Sequence, residues 1–192
     1  MALIGMSKLE AVNEMLEAIG EKPVAALDTG GTSTAADAER VLDRIDRRIQ
    51  SMGWPENTDF AVTIVSAAPT VVPSDTLWIR STTQNRNYTL RADGVYDIDA
   101  GAALTGVTAQ VDKIKKLTFA DLAPRTKDLI SVAASAIFQR RWRGDPAQAM
   151  YFTEEKIVQD IVADRIKMGG VERPINPYPI SPSVQQPSGQ GQ

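Results

Sequence analysis

The chain has 192 residues, 43% of them apolar and 23% charged, which is the size and composition of one compact domain or of two small ones sharing a core. Its formal net charge of −3 gives no global positive field that would collect nucleic acid or an anionic membrane. It contains no cysteine and no histidine, which excludes disulfides, cysteine or histidine zinc sites, and Ser-His-Asp or Cys-His catalytic sets. Because histidine is the commonest acid–base catalyst near neutral pH, we expect no enzyme, no metal and no cofactor.

Targeting segments are not evident either. No stretch approaches the roughly 20 apolar residues of a membrane span. The first residues lack the basic-then-apolar order of a signal peptide, because Lys8 and Glu10 interrupt the apolar run. The sequence therefore predicts a soluble intracellular product with no membrane partner.

Two amphipathic helices are predicted at the N-terminal end. Ser7 and Glu10 have capping-box spacing at the start of the first helix, and Gly20 is typical of a left-handed stop after it. The second helix is predicted to begin near Thr34 and to end at Gly53. The apolar stripes are Leu9, Val12, Leu16 and Ile19, then Ala38, Val41, Leu42, Ile45, Ile49 and Met52. The alternating charges of the second helix indicate a solvated face or, alternatively, a subunit contact.

The apolar period changes to two between residues 56 and 118, which predicts a small β unit of four to six strands. Its clearest signal is a hairpin, in which Tyr88–Ala92 and Val95–Ile98 flank the turn residues Asp93 and Gly94. This block is therefore expected to fold as an antiparallel insertion.

Helical spacing returns after Pro124 and is predicted to end at Gly144. A fourth helix follows Asp145 and Pro146, a cap residue followed by a proline in the first turn, and stops near residue 169. The inward-facing residues are Leu129, Val132, Ala133, Ala136 and Ile137 in the third helix and Met150, Thr153, Ile157, Ile161 and Ile166 in the fourth.

An α-hairpin cannot bury its apolar stripe alone, so the two helical pairs are expected to pack together. We therefore predict an α+β fold: a four-helix bundle formed by N- and C-terminal α-hairpins, with an inserted small antiparallel β domain and an extended C-terminal tail. The predicted boundaries are 1–54 and 119–170 for the bundle, 55–118 for the β domain and 171–192 for the tail. Five prolines and only two charged residues favour an extended or disordered tail.

This tail offers candidate anchors for a partner. Ile175, Tyr178, Ile180 and Val184 are apolar side chains in a proline-rich segment, and the prolines lower the entropy lost on docking. The alternative is a floppy end without a partner.

Arg140, Arg141, Trp142 and Arg143 form the best candidate for nucleic-acid binding, because guanidinium groups pair with phosphate and an indole stacks on bases. One alternative is charge complementation of a helix C-terminus, with Trp142 partly buried. Another is a contact with a second subunit or a partner protein.

Three weaker patterns are interpreted as structural. Gly30–Ser33 lacks the spaced glycine and the lysine of a P-loop and is predicted to be a flexible connector. The three lysines between Lys113 and Lys116 are typical of a solvated strand edge or linker. Asp97 and Asp99 lack the fuller set of ligands that a calcium loop provides.

The region 9–54 also carries a recognisable pattern. It consists of Leu9-Glu10-Ala11-Val12-Asn13, Leu16, Ile19-Gly20-Glu21-Lys22-Pro23-Val24, Ala38, Arg40, Leu42, Ile45, Arg47 and Ile49-Gln50-Ser51-Met52-Gly53-Trp54. Weaker matches are Val95-Tyr96-Asp97 and Phe138, Arg141, Gly144 and Pro146. The pattern resembles the tail tubular protein A family, the head-to-tail adaptors of short-tailed, autographivirus-type phages (podoviruses).

The resemblance implies a ring of twelve copies between the portal protein and the tail nozzle, and it implies that the nozzle is formed by a tubular protein B-like protein. It implies a helical domain, a β domain and a C-terminal segment that reaches the portal. It further implies a virion protein of the tail or neck, made in the host cytoplasm, through whose lumen DNA passes without sequence-specific binding. The alternatives are a head-completion or neck connector of another tailed-phage type, a DNA-binding helical module using Arg140–Arg143, and a carboxylate-based enzyme.

Overall fold

The computed structural model describes residues 5–65, 74–82, 87–91, 94–104, 108–142, 156–163 and 166. In these ranges the helices are α1 (Lys8–Glu17), α2 (Thr34–Gln50) and α3 (Pro124–Trp142), and residues 156–163 are also helical. The strands are β1 (Thr58–Val65), β2 (Thr76–Ser81), β3 (Tyr88–Arg91), β4 (Gly94–Asp97), β5 (Ala102–Ala103) and β6 (Thr108–Lys115).

Local sequence signals set the ends of α1 and α2 as predicted. The Ser7 hydroxyl accepts a hydrogen bond from the Glu10 amide, and the Glu10 carboxylate accepts one from the Ser7 amide at 2.6 Å, which completes the capping box. Ser33 caps α2 with its hydroxyl. Gly20 and Gly53 follow the two helices with φ angles of +86° and +77°.

One apolar core joins the helices. α1, α2 and α3 each contact the other two, and Val158 and Val162 of the helical stretch 156–163 pack into the same cluster. The fully buried side chains include Met15, Leu16, Leu42, Ile45, Ile49, Leu129, Ile130 and Ile137. Burying each such side chain stabilises the fold by about 1.5–3 kcal/mol, so this core is the main source of stability for the helical part.

The predicted four-helix bundle of two α-hairpins is wrong. Within the described ranges, α1, α2 and α3 instead pack on one another with the helical stretch 156–163 added to the same core, and α1 has only 10 residues. Its connection to α2 is not a hairpin turn, because Val24 and Leu27 of the connector pack on the core. The Asn13 side chain fixes this connector, since it accepts a hydrogen bond from the Val24 amide at 2.8 Å and donates one to the Val24 carbonyl at 3.1 Å.

The buried faces of the later helices also differ from the prediction. In α3, Val132 is 39% exposed, whereas Ile130 is fully buried, so the core-facing side is rotated relative to the predicted stripe. After α3, the buried residues among those described are Val158 and Val162, and the predicted Ile157, Ile161 and Ile166 are half-buried but pack against the same core, as expected for them or residues near them. The predicted positions Met150 and Thr153 and the cap at Asp145 lie outside the described residues.

The strands form two antiparallel sheets rather than a single unit, with strand orders β1-β6-β2 and β3-β4-β5. The predicted hairpin is confirmed as β3 paired with β4, although Gly94 already belongs to β4 and pairs with Arg91. Ile79, Val95, Leu104, Ala109 and Val111 come from both sheets and share a second, smaller core.

Lys113 and Lys115 belong to β6 and do not mark a sheet edge, which corrects that alternative of the prediction, whereas Lys116 follows the strand. β6 is the central strand of its sheet, with β1 and β2 on either side. Lys115 instead pairs with Asp59 of β1 at 3.1 Å, and Lys116 pairs with the buried Asp46 of α2 at 3.2 Å. The first ion pair joins β6 to β1, and the second joins the residue after β6 to α2.

A buried polar junction connects α2 to the first sheet. The Leu117 amide donates to Gln50 Oε1 at 2.7 Å, and Gln50 Nε2 donates to the Leu117 carbonyl at 3.1 Å. Asn57 Nδ2 donates to the Gln50 carbonyl at 2.8 Å and to the Lys115 carbonyl at 3.0 Å. Gln50 and Asn57 are both fully buried, so these bonds hold the two parts in a fixed relation without help from solvent.

Candidate functional site

A groove of about 410 Å³ runs between the first half of α2 and the end of α3. Its lining residues are Asp37, Arg40, Val41, Arg44, Phe138, Arg141 and Trp142. The α2 residues are three or four positions apart, which places them on one face of the helix. The packing of α2 on α3 then brings that face to the arginine-rich end of α3.

The aromatic wall of the groove has one buried and one exposed ring. Phe138 is 3% exposed and anchors the end of α3 in the core, whereas Trp142 is 52% exposed. Their ring centroids are 6.4 Å apart. Trp142 is therefore partly buried, as predicted, with about half of its surface exposed. Exposed tryptophan side chains of this kind contribute strongly to protein interfaces.

The groove is basic. Among its described lining residues are three guanidinium groups, those of Arg40, Arg44 and Arg141, and one carboxylate, that of Asp37. Arg40 pairs with Asp37 and donates to the Gly31 carbonyl at 2.8 Å, which fixes its position over the start of α2. The groove is therefore suited to bind a surface that combines carboxylates or phosphates with apolar groups.

A second concave surface, of about 490 Å³, has the opposite charge. It is lined by Gly5, Met6, Glu10, Asn13, Glu14, Glu17 and Pro23. Capping of α1 and the bond from Ser131 to Glu14 at 3.0 Å hold two of its carboxylates in place. The hydrogen bond from the backbone amide of Ser7 lowers the pKa of Glu10, so its charged form is favoured over that of an ordinary glutamate.

An ionic cluster fixes α1 against α2. The Lys8 ammonium lies 2.8 Å from the buried carboxylate of Glu39 and 2.8 Å from that of Asp43. Burial by itself lowers the pKa of Lys8, but its hydrogen bonds to Asp43 and Glu39 outweigh this and raise it. Burial likewise favours a higher pKa of Glu39, but hydrogen bonds from Lys8 and Thr29 lower it.

Replacing Glu39 with glutamine is expected to lower the free energy of unfolding at pH 7 by about 1–2 kcal/mol, because the partly buried Lys8 loses a charged acceptor. The pKa of Glu39 is lowered in the folded chain, so its contribution is present above the usual value of 4.5 and is lost as the pH falls further. Urea unfolding of both proteins between pH 7 and pH 3 should therefore give converging stabilities. Asp43→Asn is the control and should have a smaller effect, because Asp43 is exposed. If the Glu39→Gln variant is still less stable than the unchanged chain at pH 3, the charge of Glu39 is not the cause of the difference.

A bulge in β1 exposes another aromatic side chain. Between Asp59 and Val62 the register with β6 shifts, and Ala61 takes a φ angle of +51°. The buried Asp112 accepts the Ala61 amide at 3.1 Å and pairs with Arg80 at 2.6 Å, which holds the bulge. Phe60 is left 61% exposed on the edge strand of the first sheet.

The predicted site residues are only partly brought together. Arg141 and Trp142 line the groove, and Arg140 is exposed beside it. Arg143 and the tail anchors Ile175, Tyr178, Ile180 and Val184 lie outside the described residues. Sequence reasoning missed Arg40 and Arg44 as members of this surface, although their spacing of four on a predicted helix already placed them on one face.

Other kinds of site have less support in the described part of the chain. Within those residues no group of three or more acidic side chains is arranged to hold a metal ion. Asp97 accepts the amides of Asp99 and Ala100 at 3.0 Å, and Asp99 accepts from Asn87, so both shape a turn. No helix among the described ranges has the length and apolar character needed to cross a membrane.

Comparison with known proteins identifies the family. A search of curated proteins found no match. The family model described as "Tube: Tail tubular protein" matches residues 9–168, which is most of the chain and includes every helix and strand described above except the first residue of α1. The chain therefore belongs to the Tube family of tail tubular proteins and is a structural protein of the phage tail.

Proposed function

We propose that the chain is a subunit of the head-to-tail adaptor ring, which joins the portal protein to the tail nozzle and forms part of the channel for DNA ejection. Membership of the tail tubular family over residues 9–168 is the observation that carries this proposal. The buried junction at Gln50 and Asn57 is consistent with it, because a part that transmits force between two partners needs its subdomains held in a fixed relation. The partners are the portal, the nozzle protein and further copies of the chain in a cyclic ring.

Mass spectrometry of purified virions tests the proposal directly. We expect the chain to be a virion component with a copy number equal to that of the portal, twelve in the ring that the family resemblance implies. Absence from the virion, or a large excess over the portal as expected for a repeated tube subunit, would overturn the adaptor assignment.

The ring is proposed to assemble on the portal from monomers. The motivation is the proline-rich tail, whose composition favours ordering only on a partner. Light scattering of the purified chain should give the mass of a monomer, and addition of the portal should give a ring-sized complex. A stable ring of the full-length chain without portal would contradict templated assembly.

Deleting residues 171–192 is expected to leave the fold intact but to weaken attachment to the portal. The described part of the helical core is formed by residues between Met6 and Ile166, and the apolar anchors of the tail are proposed to dock on the portal. Circular dichroism and thermal unfolding check the fold, and co-sedimentation with portal checks attachment. If the truncated chain unfolds, the tail belongs to the core instead.

A further inference from the structure

The two concave surfaces of the helical part carry opposite charges. Counting only described residues, the groove between α2 and α3 is lined by three arginines and one aspartate, and the surface on α1 is lined by three glutamates without a lysine or arginine. Both also hold apolar surface: the half-exposed Trp142 in the groove, and Met6 and Pro23 beside the glutamates. The two surfaces are thus complementary in charge and in apolar content.

Among the described lining residues, the two surfaces have none in common. α1 contacts α2 through Lys8 and Glu39, and it contacts α3 through Glu14 and Ser131. The groove instead opens between α2 and the far end of α3. Two complementary surfaces with different lining residues are what a head-to-tail contact between copies requires, because a ring uses one patch against a different patch of the neighbour.

From this complementarity we infer that the basic groove between α2 and α3 of one copy receives the acidic face of α1 of the next copy. The inference rests on the proposed ring function and names the contact that closes the ring. Arg44 and Arg141 face the carboxylates of Glu14 and Glu17 of the neighbour, and Trp142 packs on its apolar surface. Because the contact is largely ionic and near the surface, it weakens at high salt.

Charge reversal on each side tests the contact. The groove variant carries Arg44→Glu with Arg141→Glu, and the α1 variant carries Glu14→Lys with Glu17→Lys. Glu10 is left unchanged because it caps α1. Each variant alone is expected to bind its neighbour about 100-fold more weakly, since like charges then face each other. Light scattering of each variant with the portal measures ring assembly, and urea unfolding confirms that each variant is folded.

Mixing the two variants gives the decisive result. In an equimolar mixture each reversed groove meets a reversed α1 face, so rings of alternating copies should form again on the portal. A chain carrying all four substitutions should also assemble, because both sides of every contact are exchanged. Failure of both combinations to restore assembly, with each protein folded, overturns the inference even if the single variants are defective.

A matched control separates local contact from total charge. Arg47→Glu with Arg125→Glu makes the same change in net charge at two exposed arginines outside the groove, and it should assemble as the unchanged chain does. If this control fails like the groove variant, the groove has no special role. If the groove variant instead assembles normally but loses salt-dependent binding to a DNA duplex, the groove is a nucleic-acid site and the inference is wrong.

The outcomes also distinguish this inference from the proposed function. Normal assembly of all variants on the portal leaves the adaptor ring in place and rejects only this contact. Absence of assembly by the unchanged chain, with and without portal, rejects the ring and the contact together.

Discussion

Replacing Gly53 with alanine is expected to lower the free energy of unfolding by about 2–5 kcal/mol. Gly53 has a φ angle of +77°, which costs a residue with a Cβ about 1–2 kcal/mol. The added Cβ would also lie 2.6 Å from Cδ1 and 3.1 Å from Cγ1 of Ile114. Ile114 is fully buried in the central strand, so it cannot move away without overpacking that adds about 1–3 kcal/mol.

Gly20→Ala is the matched control for this substitution. Gly20 has a similar φ angle of +86°, but nothing lies within 4 Å of the position its Cβ would take. Its replacement should therefore cost only the backbone part, about 1–2 kcal/mol. Urea unfolding followed by circular dichroism measures both. Equal losses would mean that Ile114 accommodates the methyl group and that the end of α2 is not tightly packed on the sheet.

These glycines illustrate which parts of the fold the sequence reveals. Capping at Ser7 and Ser33 and the left-handed stops at Gly20 and Gly53 depend on neighbours within a few residues, so their chemistry is visible in the sequence alone. The same holds for the hairpin of β3 and β4. The cap at Ser7, the stop at Gly20, the ends of α2 and the hairpin were predicted correctly in kind and to within three residues, whereas Ser33 was assigned only to the connector before α2.

Pairings between distant segments were not visible in this way. β6 pairs with β1, about fifty residues earlier, and with β2, so it is central. Alternating apolar residues indicate which face of a strand is buried but not which strands lie beside it. The lysines at the end of β6 therefore suggested an edge or a linker, whereas Asp59 and Asp46 provide partners for Lys115 and Lys116 from other elements.

The helical arrangement was mispredicted for a related reason. Apolar stripes identified α1, α2 and α3, but the hairpin model assumed that each helix packs mainly on its neighbour in sequence. Val24 and Leu27 take up core positions that this model gave to helices. Tertiary packing, rather than the period of the stripe, also decided that Ile130 is buried and Val132 is exposed.

The candidate site likewise combines residues that the sequence singles out with residues that only the fold brings beside them. The sequence located Arg141 and Trp142 by their clustering, but the groove forms only when α2 packs beside the end of α3. Arg40 and Arg44 therefore entered the site through the fold and not through a motif. The glutamates of α1 were interpreted only as parts of a helix. A binding role for them requires a complementary basic surface, and the sequence does not show where such a surface lies.

The buried junction provides the other large expected effect: replacing Asn57 with alanine should lower the free energy of unfolding by about 3–5 kcal/mol. Its Oδ1 accepts the Trp54 amide at 2.7 Å, and its Nδ2 donates to the Gln50 and Lys115 carbonyls. Alanine removes the side chain's bonds to the Trp54 amide and the Lys115 carbonyl, and each unsatisfied buried group costs about 1–3 kcal/mol, whereas the Gln50 carbonyl still accepts the Gly53 amide at 3.0 Å. Asn13→Ala is the control, since Asn13 also bridges backbone groups but is only half-buried, and it should lose about 1 kcal/mol.

Asn57→Asp distinguishes hydrogen bonding from lost volume, because aspartate has nearly the same shape. The introduced carboxylate keeps the acceptor for Trp54 but places a second oxygen against the carbonyls of Gln50 and Lys115, where a donor is needed. Its pKa in the folded chain should be raised, since only the protonated form can donate. The destabilisation should therefore grow as the pH rises above about 4 and shrink below it. A variant as stable as the unchanged chain at pH 7 would show that the junction is held by packing and not by the two donated bonds.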